Sequence, residues 1–182
     1  MEVKISDSLI SNESEKEVGL DAIWSLSTAK PGNGVEQLRD ECLETYWQSD
    51  GTQPHLINIQ FLKKVVISKV CLYLDFAADE SYTPKKVSIR SGTSQHDLVD
   101  IATIDLHEPV GWINVLLSEA ANKQPLRTHL LQVRIVSMHQ NGRDTHVRHV
   151  KIFGPRLSYP VMGGVPVDKF HSLEMLQYSQ IR

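Results

Sequence analysis

Apolar positions recur along this chain with a period of two, not 3.6. Residues 56–61 place Ile57, Ile59 and Phe61 on one face. Residues 66–76 alternate Val70, Leu72, Leu74 and Phe76 with Cys71, Tyr73 and Asp75, and residues 130–136 alternate Leu131, Val133 and Ile135 with Gln132 and Arg134. Each segment is a strand with one face made for a core. Further strands are predicted at 87–90, which ends at Ser91-Gly92, at 112–116, which follows Pro109 and Gly111, and at 146–153. Turn signals separate them at short intervals and no sustained helical period interrupts them, so the pattern predicts an all-β sandwich or barrel. One short helix fits between Val35 and Leu43, after the breaker run Lys30-Pro31-Gly32-Asn33-Gly34.

The pattern fades at both ends. Residues 1–19 are polar and charged, which predicts a flexible arm before a folded domain spanning 20–155. Beyond Phe153, Gly154, Pro155, Pro160, Gly163, Gly164 and Pro166 break any long ladder or helix, so 156–182 is expected to be a flexible tail. The tail closes on Ile181-Arg182, an apolar anchor followed by a guanidinium and a carboxylate. A groove can capture such an end. A plain disordered end is the alternative.

Composition narrows the function classes. With 182 residues, 41% of them hydrophobic, the chain has material for one core and too little for a second full domain. A formal net charge of -3, with no Lys/Arg run, argues against nucleic-acid binding through phosphate neutralisation. Apolar stretches are strand-length, far below the roughly 20 residues that span a bilayer, so no membrane association is expected. The acidic, Ser-rich N-terminus lacks the basic and apolar regions of a secretory signal, which predicts an intracellular, soluble protein. Cys42 and Cys71 form no CxxC pattern and are expected as free thiols.

Signatures of the common motif-bearing enzymes are absent: no G-x-S-x-G, P-loop, H-E-x-x-H or paired-cysteine pattern occurs. The richest polar cluster is 139–149, with His139, Asp144, His146 and His149 as candidate metal ligands or proton carriers. Strand alternation puts His146 and Arg148 on one face and Val147 and His149 on the other, so no metal and no cofactor is expected. Asn141-Gly142 predicts a tight turn at a loop tip between strands 130–136 and 146–153, either a binding loop or a structural turn. A second polar loop, 77–84, is either a binding surface or a solvated connection. Trp24, Trp47 and Trp112 sit among apolar neighbours and read as core anchors before a sugar-stacking platform. Asp40, Glu41, Glu44 and Asp50 fit no calcium loop and read as capping or solvated groups.

Several blocks carry a resemblance beyond spacing. AIWSLS from Ala22, KPGNGVEQLRD from Lys30 and LETYWQSDGTQPHL from Leu43 are joined by DESYTP from Asp79, GWI from Gly111 and HQNGRDTHVRHVKI from His139. From about Val18 to Phe153, and again at its end, the chain resembles the Doc-domain family of the anaphase-promoting complex, or cyclosome. The resemblance implies a jelly-roll β-sandwich of the galactose-binding-domain-like class that catalyses nothing itself. It implies a co-receptor, formed with the propeller co-activator, for the destruction box, an Arg-x-x-Leu degron, and a role in processive substrate ubiquitination in the cell cycle. By the same resemblance the degron-binding residues are Ser81, Tyr82, Asn141, Gly142, Arg143, Asp144 and His146. Ile181-Arg182 is similar to the family's docking tail, which enters a tetratricopeptide-repeat scaffold subunit, and the implied location is nucleus and cytoplasm. The rival readings are a carbohydrate-binding sandwich module with an exposed aromatic platform and a metal-dependent hydrolase built on the histidine cluster.

Overall fold

The computed structural model describes residues 3–6, 14–117, 126–156, 161–162 and 165–166. In chain order the strands are β1 (Val3–Ser6), β2 (Glu15–Glu17), β3 (Ala22–Leu26), β4 (Trp47–Gln48), β5 (His55–Ile67), β6 (Lys69–Asp75), β7 (Pro84–Gly92), β8 (Val99–Asp105), β9 (Val110–Leu116), β10 (Leu126–Met138), β11 (His146–Val147), β12 (His149–Pro155), β13 (Val161–Met162) and β14 (Val165–Pro166). Two antiparallel five-stranded sheets stack as a sandwich, in the orders β1-β9-β6-β12-β2 and β3-β5-β10-β7-β8. Most neighbours within a sheet are distant in sequence, the winding of a jelly roll. Among the described residues no helix is long and apolar enough to cross a membrane.

The period-two pattern becomes the core. Ile57 and Ile59 of β5, Val70, Leu72 and Leu74 of β6, Leu131, Val133 and Ile135 of β10, and Val150 and Ile152 of β12 are buried between the sheets. β10 is central in its sheet, with Val133 opposite Ile57 on one side and Ile89 on the other. A second cluster of Cys71, Trp112 and Phe153, with Tyr73 against it, covers the outer face of the other sheet. Burial raises the Cys71 thiol pKa to about 12, and its Sγ donates to Asn114 Oδ1 at 3.1 Å. Cys42 is exposed.

Four expectations are corrected. Residues 1–19 are not wholly an arm, because β1 pairs with β9 and β2 with β12. There, Glu15 bonds Lys69 Nζ at 2.6 Å and Glu17 bonds Arg39 Nη2 at 2.8 Å, so charges rather than apolar positions hold the edge. β5 runs through to Ile67, and the chain turns at Ser68, whose N–H donates to Phe153 O; Val66 and Ile67 therefore belong to the earlier strand. Besides the short helix α1 (Val35–Arg39), a second, α2 (Phe76–Asp79), opens the segment read as loop. Finally, β10 and β12 lie in different sheets, so 139–148 is a crossover between sheets and not a hairpin tip. The tail expected over 156–182 falls almost wholly outside the described residues. Within it, Arg156 N donates to Ser14 O at 2.7 Å and β13 pairs with β14.

Two buried histidines should make the fold acid-sensitive. Burial, with the Lys151 and Arg39 charges nearby, lowers the pKa of His149, which lies edge-on to Trp112 at 5.7 Å. Burial, with Lys85, lowers that of His139. Between the folded value and the unfolded value near 6.5 the unfolded chain binds more protons, so this stability is complete above about pH 6.5 and is lost as pH falls. Thermal melts at pH 7.5, 6.5 and 5.5 should show a falling midpoint, and His149→Phe, which keeps a ring against Trp112, should flatten part of the slope. An unchanged midpoint across that range would contradict neutral burial.

Candidate functional site

Three segments meet at one end of the sandwich: residues 40–46 after α1, residues 76–83 between β6 and β7, and residues 139–145 between β10 and β11. Asp79, at the end of α2, is the hub of a buried polar cluster between them. Its carboxylate side chain is 5% exposed and takes Arg148 Nε at 2.8 Å, Arg148 Nη2 at 2.9 Å and His146 Nδ1 at 3.1 Å. Arg148 Nη1 donates onward to Leu43 O at 2.9 Å. One guanidinium thus ties the first and second segments to the chain just past the third, using on Asp79 the paired fork that lysine cannot reproduce. Burial raises the Asp79 pKa, but hydrogen bonds from His146 and Arg148, with the Arg148 charge, outweigh it and leave it below the usual carboxylate value. The Asp79 hydrogen bond raises that of Arg148 against its own desolvation.

A carboxylate only accepts, so His146 Nδ1 carries a proton and donates it, and Nε2 is buried without a partner among the described residues. The imidazole lies nearly parallel to Tyr46 (centroids 4.1 Å apart, 22°) and to Tyr82 (4.2 Å, 12°). Two parallel rings that close cannot share one face, so His146 is the middle layer of a Tyr-His-Tyr stack. Tyr82 forms its outer layer, 38% exposed. Tyr46, Asp79, Ser81, Tyr82, His146 and Arg148 line a shallow cavity of about 260 Å³.

The second and third segments touch backbone to backbone. His139 N donates to Thr83 O at 2.9 Å and the Thr145 side chain adds a bond from Oγ1 to Tyr82 O at 3.2 Å, while within the third segment Gly142 N donates to His139 O at 2.9 Å. A Cβ on Gly142 would lie 1.9 Å from Ser81 O. Asn141 takes a φ of 57°, which Asn tolerates, whereas Gly142 has an ordinary φ of -56°. The glycine is therefore required by close approach, not by the tight turn that Asn-Gly suggests. His55 Nε2 lies 2.7 Å from Arg143 O and Gln53 Nε2 donates to Gly142 O at 2.9 Å, so the start of β5 supports the crossover from below.

The family model described as anaphase-promoting complex subunit 10 matches residues 3–180. The chain belongs to that family. Over 167 residues it is 48% identical to the human anaphase-promoting complex subunit 10, covering 92% of this chain and 88% of that protein. It is 52% identical to the Drosophila melanogaster subunit, covering 92% and 85%, and 38% identical to that of Schizosaccharomyces pombe, covering 97% and 93%. Among solved structures it resembles the family 32 carbohydrate-binding module of Clostridium perfringens NanJ in complex with galactose, with a TM-score of 0.63 at 10% identity over 76% of this chain and 98% of that one. A chitosan-binding module from Paenibacillus gives 0.61 at 12% identity, covering 76% and 99%. These last two likenesses speak for the fold alone.

In this member of the family, the structure brings together four of the seven residues singled out from sequence. Ser81 and Tyr82 line the cavity, Gly142 lies against Ser81, and His146 is stacked beneath Tyr82 at 8% exposure. Asn141 and Arg143 are exposed on the crossover and Asp144 is half-buried. Arg143 faces a separate shallow depression with Gly51, Thr52 and Gln53. Sequence reasoning missed Asp79, Tyr46 and the bracing role of Arg148. Its one usable signal was the shared face of His146 and Arg148, which calls for an acid opposite. The indoles form no platform: Trp47 and Trp112 are buried, and Trp24 is half-buried with the Arg39 guanidinium 4.4 Å above it. His146 and His149 lie on opposite sides, one on Asp79 and one on Trp112, and among the described residues no three His, Cys, Asp or Glu side chains gather as metal ligands. Ile181 and Arg182 lie outside the described residues.

Proposed function

We propose that this chain is a non-catalytic, substrate-recognising subunit of an anaphase-promoting complex, acting in the nucleus and cytoplasm. Its end loops, with the propeller co-activator, form a destruction-box co-receptor. The observation that carries this reading is the pair of loops 76–83 and 139–145, locked backbone to backbone and braced by Asp79, with Tyr82, Asn141 and Arg143 on the solvent side. Pre-ordered loops bind an extended peptide without the cost of ordering themselves. Ser81, Asn141, Arg143 and Asp144 offer hydrogen bonds to the degron's polar half and Tyr82 a ring, while Gly142 and His146 hold the loops in place. The co-activator takes the degron's Arg and Leu.

Each contact alone is weak. Two on one substrate raise its effective concentration and slow its release, so more ubiquitins are added per encounter. The Ile181-Arg182 end docks the subunit into a groove of a tetratricopeptide-repeat scaffold subunit, leaving the loops free.

The test is binding of a fluorescent destruction-box peptide to the full chain mixed with its co-activator. Tyr82→Ala with Asn141→Ala should weaken binding about tenfold, or roughly 1.4 kcal/mol, and shorten the ubiquitin chains made by the reconstituted ligase. Removing Ile181-Arg182 should release the subunit from its scaffold and leave peptide affinity unchanged. Wild-type affinity in the loop variant would sink the co-receptor reading.

A further inference from the structure

A second surface lies at the other end of β5. This strand starts at His55 beneath the loops, and Leu62 stands seven residues further along, about 23 Å away at the rise of a strand. There β5 bulges: Gln60 pairs with Leu130 and Val65 with Thr128, so residues 61–64 stand opposite His129 alone. Phe61 turns into the core, while Leu62, on the outward face with Gln60, is 84% exposed and is followed by the exposed Lys63 and Lys64. Bulges of this kind re-aim side chains and occur as built features of sheets.

Next to the bulge, Ile23 of β3 pairs with Gln60 and so shares its face, which puts Ile23 diagonal to Leu62. Ile23 is 58% exposed and Leu20, in the turn before β3, is 71% exposed. β3 is also a sheet edge. Of the four edge strands of the two large sheets, β1 carries Lys4, β2 carries Glu15, Lys16 and Glu17, and β8 carries Asp100 and Asp105, whereas β3 reads Ala-Ile-Trp-Ser-Leu without a charge or a proline. Open edges are normally blunted by such residues or covered. Here Arg39 of α1 covers only the inward Trp24, the outward face has neither device, and on it and beside it three aliphatic side chains are exposed.

We propose that the β3 edge with Leu20, Ile23 and the Leu62-Lys63-Lys64 bulge is a protein-docking surface for an apolar groove with an acidic rim on another subunit of the same assembly. The leucines and isoleucine fill the groove and the two lysines meet its carboxylates. Two lysines beside Asp21 fall short of the basic cluster that holds a protein on anionic lipid. Docking there leaves the loop end free and holds the sandwich through residues other than the C-terminal Ile-Arg. The inference rests on the proposed membership of the complex.

The test uses the full chain with its tail intact and anaphase-promoting complex assembled without it. Leu62→Glu with Lys63→Glu and Lys64→Glu changes only exposed side chains, and an unchanged circular dichroism melt verifies the fold. The expected result is at least tenfold weaker association of the triple variant, whereas Val99→Glu, an exposed change on the β8 edge, associates as wild type does. Equal affinity of triple variant and wild type overturns the docking surface and leaves the membership reading standing; failure of the wild type itself to associate overturns both. Flotation of the wild type, and not the variant, with phosphatidylserine vesicles would assign the surface to lipid. A wild-type dimer in sedimentation velocity that Leu62→Glu dissolves would assign it to self-association.

Discussion

Arg148→Met should be the most destabilising substitution at the site, costing about 3–5 kcal/mol, the range for removing one member of a buried ion pair. For a domain of this length the melting midpoint would fall by roughly 10 °C. The loss comes from what is left behind. Asp79 keeps its charge in a buried position with His146 as its remaining partner, and Leu43 O loses its donor. Segment 40–46, which carries Tyr46, is then held less firmly, so peptide binding should weaken together with stability. Adding Asp79→Asn removes the stranded charge, and the double variant should recover part of the loss, a coupling that neighbouring groups show and independent sites do not. Melts of the two single variants and the double one decide this. Strict additivity would mean that the ion pair does not brace the loops.

Gly142→Ala should be the next most damaging. Its φ of -56° suits alanine, so backbone preference contributes nothing and the effect reports the contact alone. The new methyl group would start 1.9 Å from Ser81 O and 2.9 Å from Ser81 C, both backbone atoms that no side-chain rotation can move aside. Loops 76–83 and 139–145 must therefore separate, costing about 1–3 kcal/mol as overpacking does. Tyr82, one residue from the point of collision, would leave its stack on His146, so degron affinity should fall more than tenfold even in molecules that stay folded. A fully stable variant with normal affinity would show that the two loops are not in contact.

The strands that face the core on one side were legible because one buried face imposes strict alternation, as with Val70, Leu72 and Leu74 or Leu131, Val133 and Ile135. What escaped was held by other forces. The pairing of Glu15–Glu17 rests on ion pairs with Lys69 and Arg39, and charge carries no period. The bulge at 61–64 interrupts the alternation of β5 and made one strand look like two. In β8, Ala102 and Ile104 alternate inward among Asp and Thr, too thin a signal to read. At the site, the resemblance named the loops and alternation placed His146 with Arg148. Nothing local marked Asp79 as their common partner, because its contacts span 67 and 69 positions of chain. Asn141-Gly142 misled for a related reason: the glycine answers to Ser81, a neighbour in space and not in sequence.

The unequal fates of the two cysteines give the native chain a ready place for an optical reporter. Cys71 is sealed and its thiolate suppressed, so an alkylating dye at neutral pH will find Cys42 alone. That thiol stands one position before Leu43, whose carbonyl Arg148 grips. A fluorophore there would register any loosening or tightening of the loops as a substrate arrives, in the unaltered protein and in real time.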